Sequence, residues 1–470
     1  MTKKKSFFQR VKGKIRRTFF DKNKKPKPDE EKIKILLLTN RDSDNVGDQV
    51  IEACDISLIS TVMKNLGLES DDYKISSRAA GIISKKYLAT RDPELLRPAE
   101  EAVRKADIVV FGGAPLFNYS YQVFYERTAI TLELAEKYNK PVIFSAIGVE
   151  GYDEDSEKCQ RLKKTLNFDC VKQITTRDNY EALKKFKANE NLIIDKVADP
   201  AVFTAEVFDK FISTKGEKKK IGIFILRANG FVDNKVNFTK YDAAELWKGL
   251  TAKLEESGYD YELLTSGHFG DEAFLDYLIR ECGVDAKKCI FNINSPEQLI
   301  SKVSSYDAVV STRLHPSIIS FSLGVPSVGI VWNSKVTHFY ESIGCGDRVL
   351  ETEGITPERV MEKIELCINN GISRDPAYLI SVYNTLFDGI RNAVLPEKKA
   401  AKPYTFDELK ENIKVFNGTS QKEKDEKLKR KFRRAYNSYN TLFEKNVRSK
   451  EIISQLTEEV ERLKEELVRS

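Results

Sequence analysis

The chain has 470 residues, more than one hydrophobic core ordinarily serves, so roughly two to four domains are expected. Hydrophobic residues make up 41%, as in a soluble globular protein, and no apolar run reaches the roughly 20 residues that a membrane-spanning helix needs. Residues 1–30 hold twelve Lys/Arg against three Asp/Glu while the whole chain is only +6, so the remainder is weakly acidic and a nucleic-acid-binding body is excluded.

In chain order, residues 1–25 space Phe7, Phe8, Val11, Ile15 and Phe19 three to four apart among Lys and Arg. On a helix this is an apolar stripe beside a basic face, which predicts contact with a membrane surface. The alternative is a disordered basic tail. "KPKPDEE" follows as a linker. From residue 33 the pattern alternates between apolar strands and helices. "IKILLLT" (33–39), "ADIVVFGG" (106–113), "PVIFSAIG" (141–148), "VKQITTRD" (171–178) and "IIDKVADP" (193–200) read as strands. Near-continuous apolar strands separated by helices predict a parallel sheet covered on both faces.

A second cycle begins after the polar stretch 213–220, with strands at "IGIFILR" (221–227), "DYELLTSG" (260–267), "CIFNI" (289–293), "DAVVST" (307–312) and "PSVGIVW" (326–332). Helices are expected over 241–257, 271–283 and 296–305, the last with Ser295 as its cap and Pro296 at its first position. The fold class is therefore α/β, with two Rossmann-like doubly wound domains. The expected organisation is a basic segment and linker over 1–30, domains over 31–212 and 213–400, and a charged helical tail over 401–470. Ligands in such sheets sit at the carboxyl ends of the strands. Residues 377–394 read as a helix packing back across the domains. In the tail, Ile453, Leu456, Val460, Leu463 and Leu467 form an a/d seam of barely two heptads, short of the three to four that mark a coiled coil, which reads either as a self-associating coiled coil, the preferred reading, or as a free helix. The basic block 427–436 either faces the same membrane or is a solvated helix face.

The seven cysteines are scattered, with no CxxC pair. Neither a disulfide framework nor a metal site is predicted, and the compartment reads as cytoplasmic. Candidate chemistry clusters at strand ends. After the first strand, Asn45, Gly47 and Asp48 stand before a helix whose N-terminus offers free N–H groups to an anion, although Asp48 also fits a plain N-cap. Gly112 and Gly113 end another strand and allow close backbone approach to a ligand. "STRLHPSIISFSLGVP" places Arg313 and His315 just past a strand, with Pro316 and Ser317 opening a helix. His268 follows a strand in "TSGHFGDE", and His338 follows Lys335 by three residues. Each of these histidines has a structural reading as well.

Taken in order, "NVGDQVI", "VVFGGAPLF", "TTRDNYEAL", "ADPAVF" and "STRLHPSIISFSLGVPSVGIVWNSK" resemble the polysaccharide pyruvyl transferase family over residues 33 to about 345. The resemblance implies a GT-B-like arrangement of the two domains. It also implies transfer of the pyruvyl group of phosphoenolpyruvate to a sugar of a cell-surface glycan or its lipid-linked precursor, as a ketal, with release of phosphate. Phosphoenolpyruvate is then a co-substrate, and no cofactor or metal is called for. Carried over by motif, Arg313, Leu314 and His315, with Lys335 and Arg227, bind the donor. His315 acts as general acid or hydrogen-bond donor, and Asp48 or Asp178 takes a hydroxyl proton. Arg177 lies beside Asp178 in the same motif. The sequence departs from the family at "GGA" and at Tyr180. Two other readings stay open: a GT-B-type nucleotide-sugar glycosyltransferase, and a non-catalytic member held at the cytoplasmic face of the membrane.

Overall fold

The structure, a computed structural model, describes residues 27–119, 123–227 and 229–469. The expected N-terminal amphipathic helix lies outside the described residues. Residues 27–418 form one unit and residues 419–470 another.

The first unit contains two six-stranded parallel sheets. The first comprises β1 (Ile33–Thr39), β2 (Tyr73–Ala79), β3 (Ile108–Gly112), β4 (Val142–Ile147), β5 (Val171–Thr176) and β6 (Ile193–Lys196), in the spatial order β2-β1-β3-β4-β5-β6. The second comprises β7 (Lys220–Phe224), β8 (Asp260–Leu264), β9 (Cys289–Ile290), β10 (Ala308–Ser311), β11 (Ser327–Ile330) and β12 (Val349–Leu350), in the order β12-β11-β10-β7-β8-β9. Both are doubly wound. The strand order reverses between β1 and β3 in one and between β7 and β10 in the other, and the crevices at those points are where such sheets take ligands. The Rossmann-like pair in a GT-B-like arrangement is thus present.

Several strands are shorter than the apolar runs that announced them. Ile225 and Leu226 lie beyond β7 yet are 0% and 1% exposed. The chain stays buried because it continues along β8, with the Ile225 N–H donating to the Leu264 carbonyl at 3.1 Å, and packs into the second domain's own core with Phe231, Phe238 and Trp247. Two strands had no apolar run to announce them. In β2 half-exposed and exposed positions alternate, as on a sheet edge, and β12 is only two residues long.

Helix α1 (Val46–Asn65) is enclosed rather than amphipathic, with seventeen of its twenty residues buried. Its cap is Asn45, whose side chain accepts from the Gly47 N–H, so Asp48 is not the N-cap. Helix α2 (Phe269–Cys282) is capped by His268. Helix α3 (Pro296–Ser304) starts where expected, but Ser295 makes no capping bond. The Gln298 side chain instead reaches back to the Asn294 N–H at 2.9 Å. Helix α4 (Leu314–Ser322) begins two residues earlier than Pro316, and α5 (Ser334–Ser342) follows β11.

Helix α6 (Pro376–Val394) returns to the first sheet. Gln173 donates to the Thr385 carbonyl at 2.9 Å, and the Ser381 hydroxyl accepts from the Ala198 N–H at 2.9 Å. One apolar core runs through β1, α1, α3, α4 and α6, so the two domains share buried surface instead of meeting at a wet interface.

Residues 421–469 form a single helix, α7 (Gln421–Arg469), with large apolar side chains exposed along it from Leu428 to Leu467. Among the described residues no helix is long and apolar enough to cross a membrane. All seven cysteines are free.

Candidate active site

The carboxyl ends of β1, β3 and β4 face those of β7, β10 and β11 across a cleft of about 580 Å³. Its lining includes Asn40, Asn45, Asp48, Arg177, Arg227, His268, Arg313, Leu314, His315 and Lys335. Residues up to 295 positions apart in sequence meet here because two topological switch points are set face to face. A backbone bond ties the two sides together: the Val46 N–H, at the start of α1, donates to the Ser266 carbonyl at 2.7 Å. Gly267 has φ +89°, and a Cβ there would lie 3.0 Å from the Asp44 carbonyl, so only glycine allows this close crossing.

His315 sits in the first turn of α4, 8% exposed. Its Nδ1 is 3.0 Å from Asn45 Nδ2. The Asn45 amide oxygen is already engaged by the Gly47 N–H at 3.2 Å. The amide nitrogen therefore donates to Nδ1, and the ring carries its proton on Nε2. That nitrogen lies 4.0 Å from Asp48 Oδ1. Burial, followed by the charges of Arg177, Arg313 and Lys335, holds the imidazole well below its ordinary range, so it is neutral. Burial moves Asp48 the other way, up to about 6, against hydrogen bonds from Ser43 and Asn40 and the charge of Arg177. A neutral imidazole and a carboxyl poised near neutrality thus stand side by side.

Gly47 makes this neighbourhood sterically possible. A Cβ there would fall 2.3 Å from His315 Cβ, so the glycine leaves room for the ring against α1.

Four cations surround the pair, each with a carboxylate. Arg313 is held bidentately by Asp271, with Nε–Oδ2 at 2.8 Å and Nη2–Oδ1 at 2.6 Å. Its guanidinium lies 5.9 Å from the centre of the Trp332 ring. Asp271 is fully buried in the first turn of α2 and also accepts from the Arg227 N–H at 2.8 Å. Arg177 pairs with buried Asp199. The other two pairs are more open: Arg227 with Asp233 at 2.9 Å, and Lys335 with Glu150 at 3.4 Å across the cleft. Asn118 donates to the same Glu150 oxygen at 2.8 Å. The α4 N-terminus has no side-chain cap, so its positive end adds to the cationic character of the cleft.

Not every candidate lies in the cleft wall. Asp178 lies outside the cleft lining, its Oδ1 accepting from the Val149 and Asn179 N–H groups and the Thr176 hydroxyl while its Oδ2 is enclosed without a partner. Gly112 and Gly113 serve packing instead of ligand approach, since Cβ atoms there would strike Asp55 and Ile51 of α1 at 2.2 Å. His338 lies on α5 with Nδ1 enclosed and unpartnered, outside the cleft lining. His268 lines the cleft, but its Nδ1 accepts from the Gly270 N–H at 3.2 Å. Burial and nearby Arg313 bring its pKa to about 4, so its 3.6 Å approach to Asp271 is no ion pair.

The structure adds residues that the sequence did not single out: Asp271, Asp199, Glu150, Asp233, Asn118 and Trp332. Asp271 and Glu150 carry no local signature of their roles, since Arg313 and Lys335 reach them from 42 and 185 positions away. Trp332 stands in the "VWNSK" stretch, and its indole N–H is enclosed without a partner. Among the described residues no group of His, Cys, Asp or Glu is arranged to hold a metal ion.

Comparison with solved structures shows weak likeness along most of the chain. A UDP-GlcNAc 2-epimerase from Methanocaldococcus jannaschii is 14% identical with a TM-score of 0.47, covering 76% of this chain and 98% of its own. A putative UDP-N-acetylglucosamine 2-epimerase from Listeria monocytogenes is 11% identical with a TM-score of 0.49, covering 79% and 99%. A glycosyltransferase from Rickettsia africae is 12% identical with a TM-score of 0.42, covering 77% and 99%. Comparison with curated proteins finds no match. The family model for polysaccharide pyruvyl transferase matches residues 10–334, well over half of the chain and all the strand ends that build the cleft up to Lys335. The chain belongs to the polysaccharide pyruvyl transferase family.

Proposed function

We propose that this chain transfers the pyruvyl group of phosphoenolpyruvate to a sugar bearing two suitably placed hydroxyls, forming a ketal and releasing phosphate. The observation that carries the reading is the meeting, in one cleft, of Arg227, Lys335 and the uncapped α4 N-terminus with the His315–Asp48 pair. A donor with one carboxylate and one phosphate needs both a cationic cradle and a proton carrier. Its charges compete with Asp233 and Glu150 for the two more open cations.

The chemistry assigns two proton paths. Asp48, protonated, gives its proton to the donor's methylene carbon, which becomes a methyl group and leaves an oxocarbenium centre at the neighbouring carbon. The resulting carboxylate takes the proton of the first sugar hydroxyl as its oxygen bonds to that centre. The C–O bond to phosphate then breaks, with the His315 Nε2–H donating a hydrogen bond to the departing oxygen. That oxygen takes the proton of the second hydroxyl as the ring closes. Two hydroxyl protons are spent, one on carbon and one on phosphate, so the balance closes without a cofactor.

The acceptor is proposed to be a sugar of a cell-surface glycan or its lipid-linked precursor, with the basic N-terminal segment holding the enzyme at the cytoplasmic face of the membrane. Phosphate release from phosphoenolpyruvate, measured across lipid-linked glycan acceptors with and without His315→Ala, tests the reaction. Release that needs an acceptor and falls about 10²–10⁴-fold in the variant supports it. No release with any acceptor, together with binding of a nucleotide sugar, overturns it in favour of glycosyl transfer. Unchanged liposome flotation after deletion of residues 1–28 removes the membrane role.

A further inference from the structure

Helix α7 carries more than the short seam near its end. Continued toward its N-terminus in the same register, the a and d positions are Leu428, Phe432, Ala435, Tyr439, Leu442, Asn446, Ser449, Ile453, Leu456, Val460, Leu463 and Leu467. This is a seam of more than five heptads, beyond the three to four that mark a coiled coil. Its large apolar members are 46–80% exposed. A soluble helix does not carry nine large apolar residues along one line without a partner.

We propose that α7 pairs with the same helix of a second copy, antiparallel, in a two-stranded coiled coil centred between Asn446 and Ser449. Two independent features set the orientation. The first is charge. Residues 421–450 hold eleven Lys/Arg against four Asp/Glu, and residues 451–470 hold three against six. A parallel pair lays one strongly basic half on the other, whereas an antiparallel pair lays basic on acidic. The second is the polar interruption. The seam's two polar residues, Asn446 and Ser449, are adjacent positions at its centre. In the antiparallel register each faces the other across the helix pair, so the amide and the hydroxyl satisfy one another. The same register sets Leu428 against the second copy's Leu467, Phe432 against Leu463, Tyr439 against Leu456 and Leu442 against Ile453. A parallel register would instead stack Phe432 on Phe432 and Tyr439 on Tyr439. An anionic lipid surface is a poorer partner, because the seam runs on into the acidic half, which such a surface repels.

Sedimentation of the full chain tests the pairing. Twice the 53.6 kDa chain mass is expected, falling to one chain mass in Leu456→Asp with the thermal unfolding of the α/β unit unchanged. Higher salt is expected to weaken the dimer by screening the opposed halves. Orientation is read by oxidative cross-linking of Leu428→Cys and Leu467→Cys chains, with the unsubstituted chain as control. Disulfide dimers only when the two variants are mixed support the proposal. Cross-links within either variant alone overturn the antiparallel pairing. A wild-type chain that stays monomeric to about 100 μM, with or without flotation on anionic vesicles, overturns the proposal altogether.

Discussion

Asp48 is the residue whose chemistry most depends on its setting. Its pKa of about 6 stands above the roughly 3.9 of an unfolded aspartate. The folded state therefore holds a proton that the unfolded chain gives up between those values. The stability linked to this group is fully present below about pH 4 and is lost as pH rises through 6. Asp48→Asn removes the cost of an enclosed charge. It is expected to stabilise the protein by about 2–3 kcal/mol at pH 8 and little at pH 4, while abolishing turnover. Denaturant titration at the two pH values, beside a rate assay, measures both. Since the proton is needed first, kcat/KM of the unsubstituted enzyme is expected to fall as pH rises through about 6. Asn45 acts through His315 by fixing which nitrogen bears the proton. Asn45→Ala is expected to lower kcat about 10-fold or more with KM for phosphoenolpyruvate little changed. An equal loss in donor affinity would place Asn45 in binding instead.

At the scale of elements, the site is built from helix starts and strand ends that lock onto one another. The Arg313–Asp271 pair joins the α4 start to the first turn of α2, and both groups are buried. Arg313→Ala strands a carboxylate in the interior and is expected to cost about 3–5 kcal/mol of stability. Arg227, with its side chain one-third exposed, tolerates Arg227→Ala without loss of stability but is expected to bind phosphoenolpyruvate less tightly. Thermal unfolding beside donor titration separates the two arginines, which the family motif treats alike. Gly47→Ala is expected to displace the His315 ring and cost about 1–3 kcal/mol from overpacking. A fully active, equally stable variant would show that α1 yields more easily than its enclosed position implies. The strand-end loops were legible as motifs, because "NVGD" and "STRLHP" carry their glycine, cations and helix starts locally. The role of Gly47 was not, since its reason is a ring 268 positions away. Nor was β2, whose half-exposed edge position leaves no apolar run.

At the scale of the molecule, Lys335 reaches Glu150 across the cleft and competes with any anion for that side chain. Glu150→Gln is expected to lower KM for phosphoenolpyruvate a few-fold, measured at low ionic strength, where the interaction is least screened. The sequence by itself determined two α/β cycles, because buried parallel strands require near-continuous apolar runs and a βα connection leaves its periodicity in the chain. It also placed His315, Arg313, Arg227 and Asp48 at strand ends, where the local order of strand, turn and helix suffices. Only the tertiary structure decided what those residues are. The carboxylates Asp271 and Glu150, the amide of Asn45 beside His315 and the enclosure that moves Asp48 and His315 in opposite directions all come from distant segments. Desolvation and pairing are properties of what surrounds a group in space, and no local spacing encodes them.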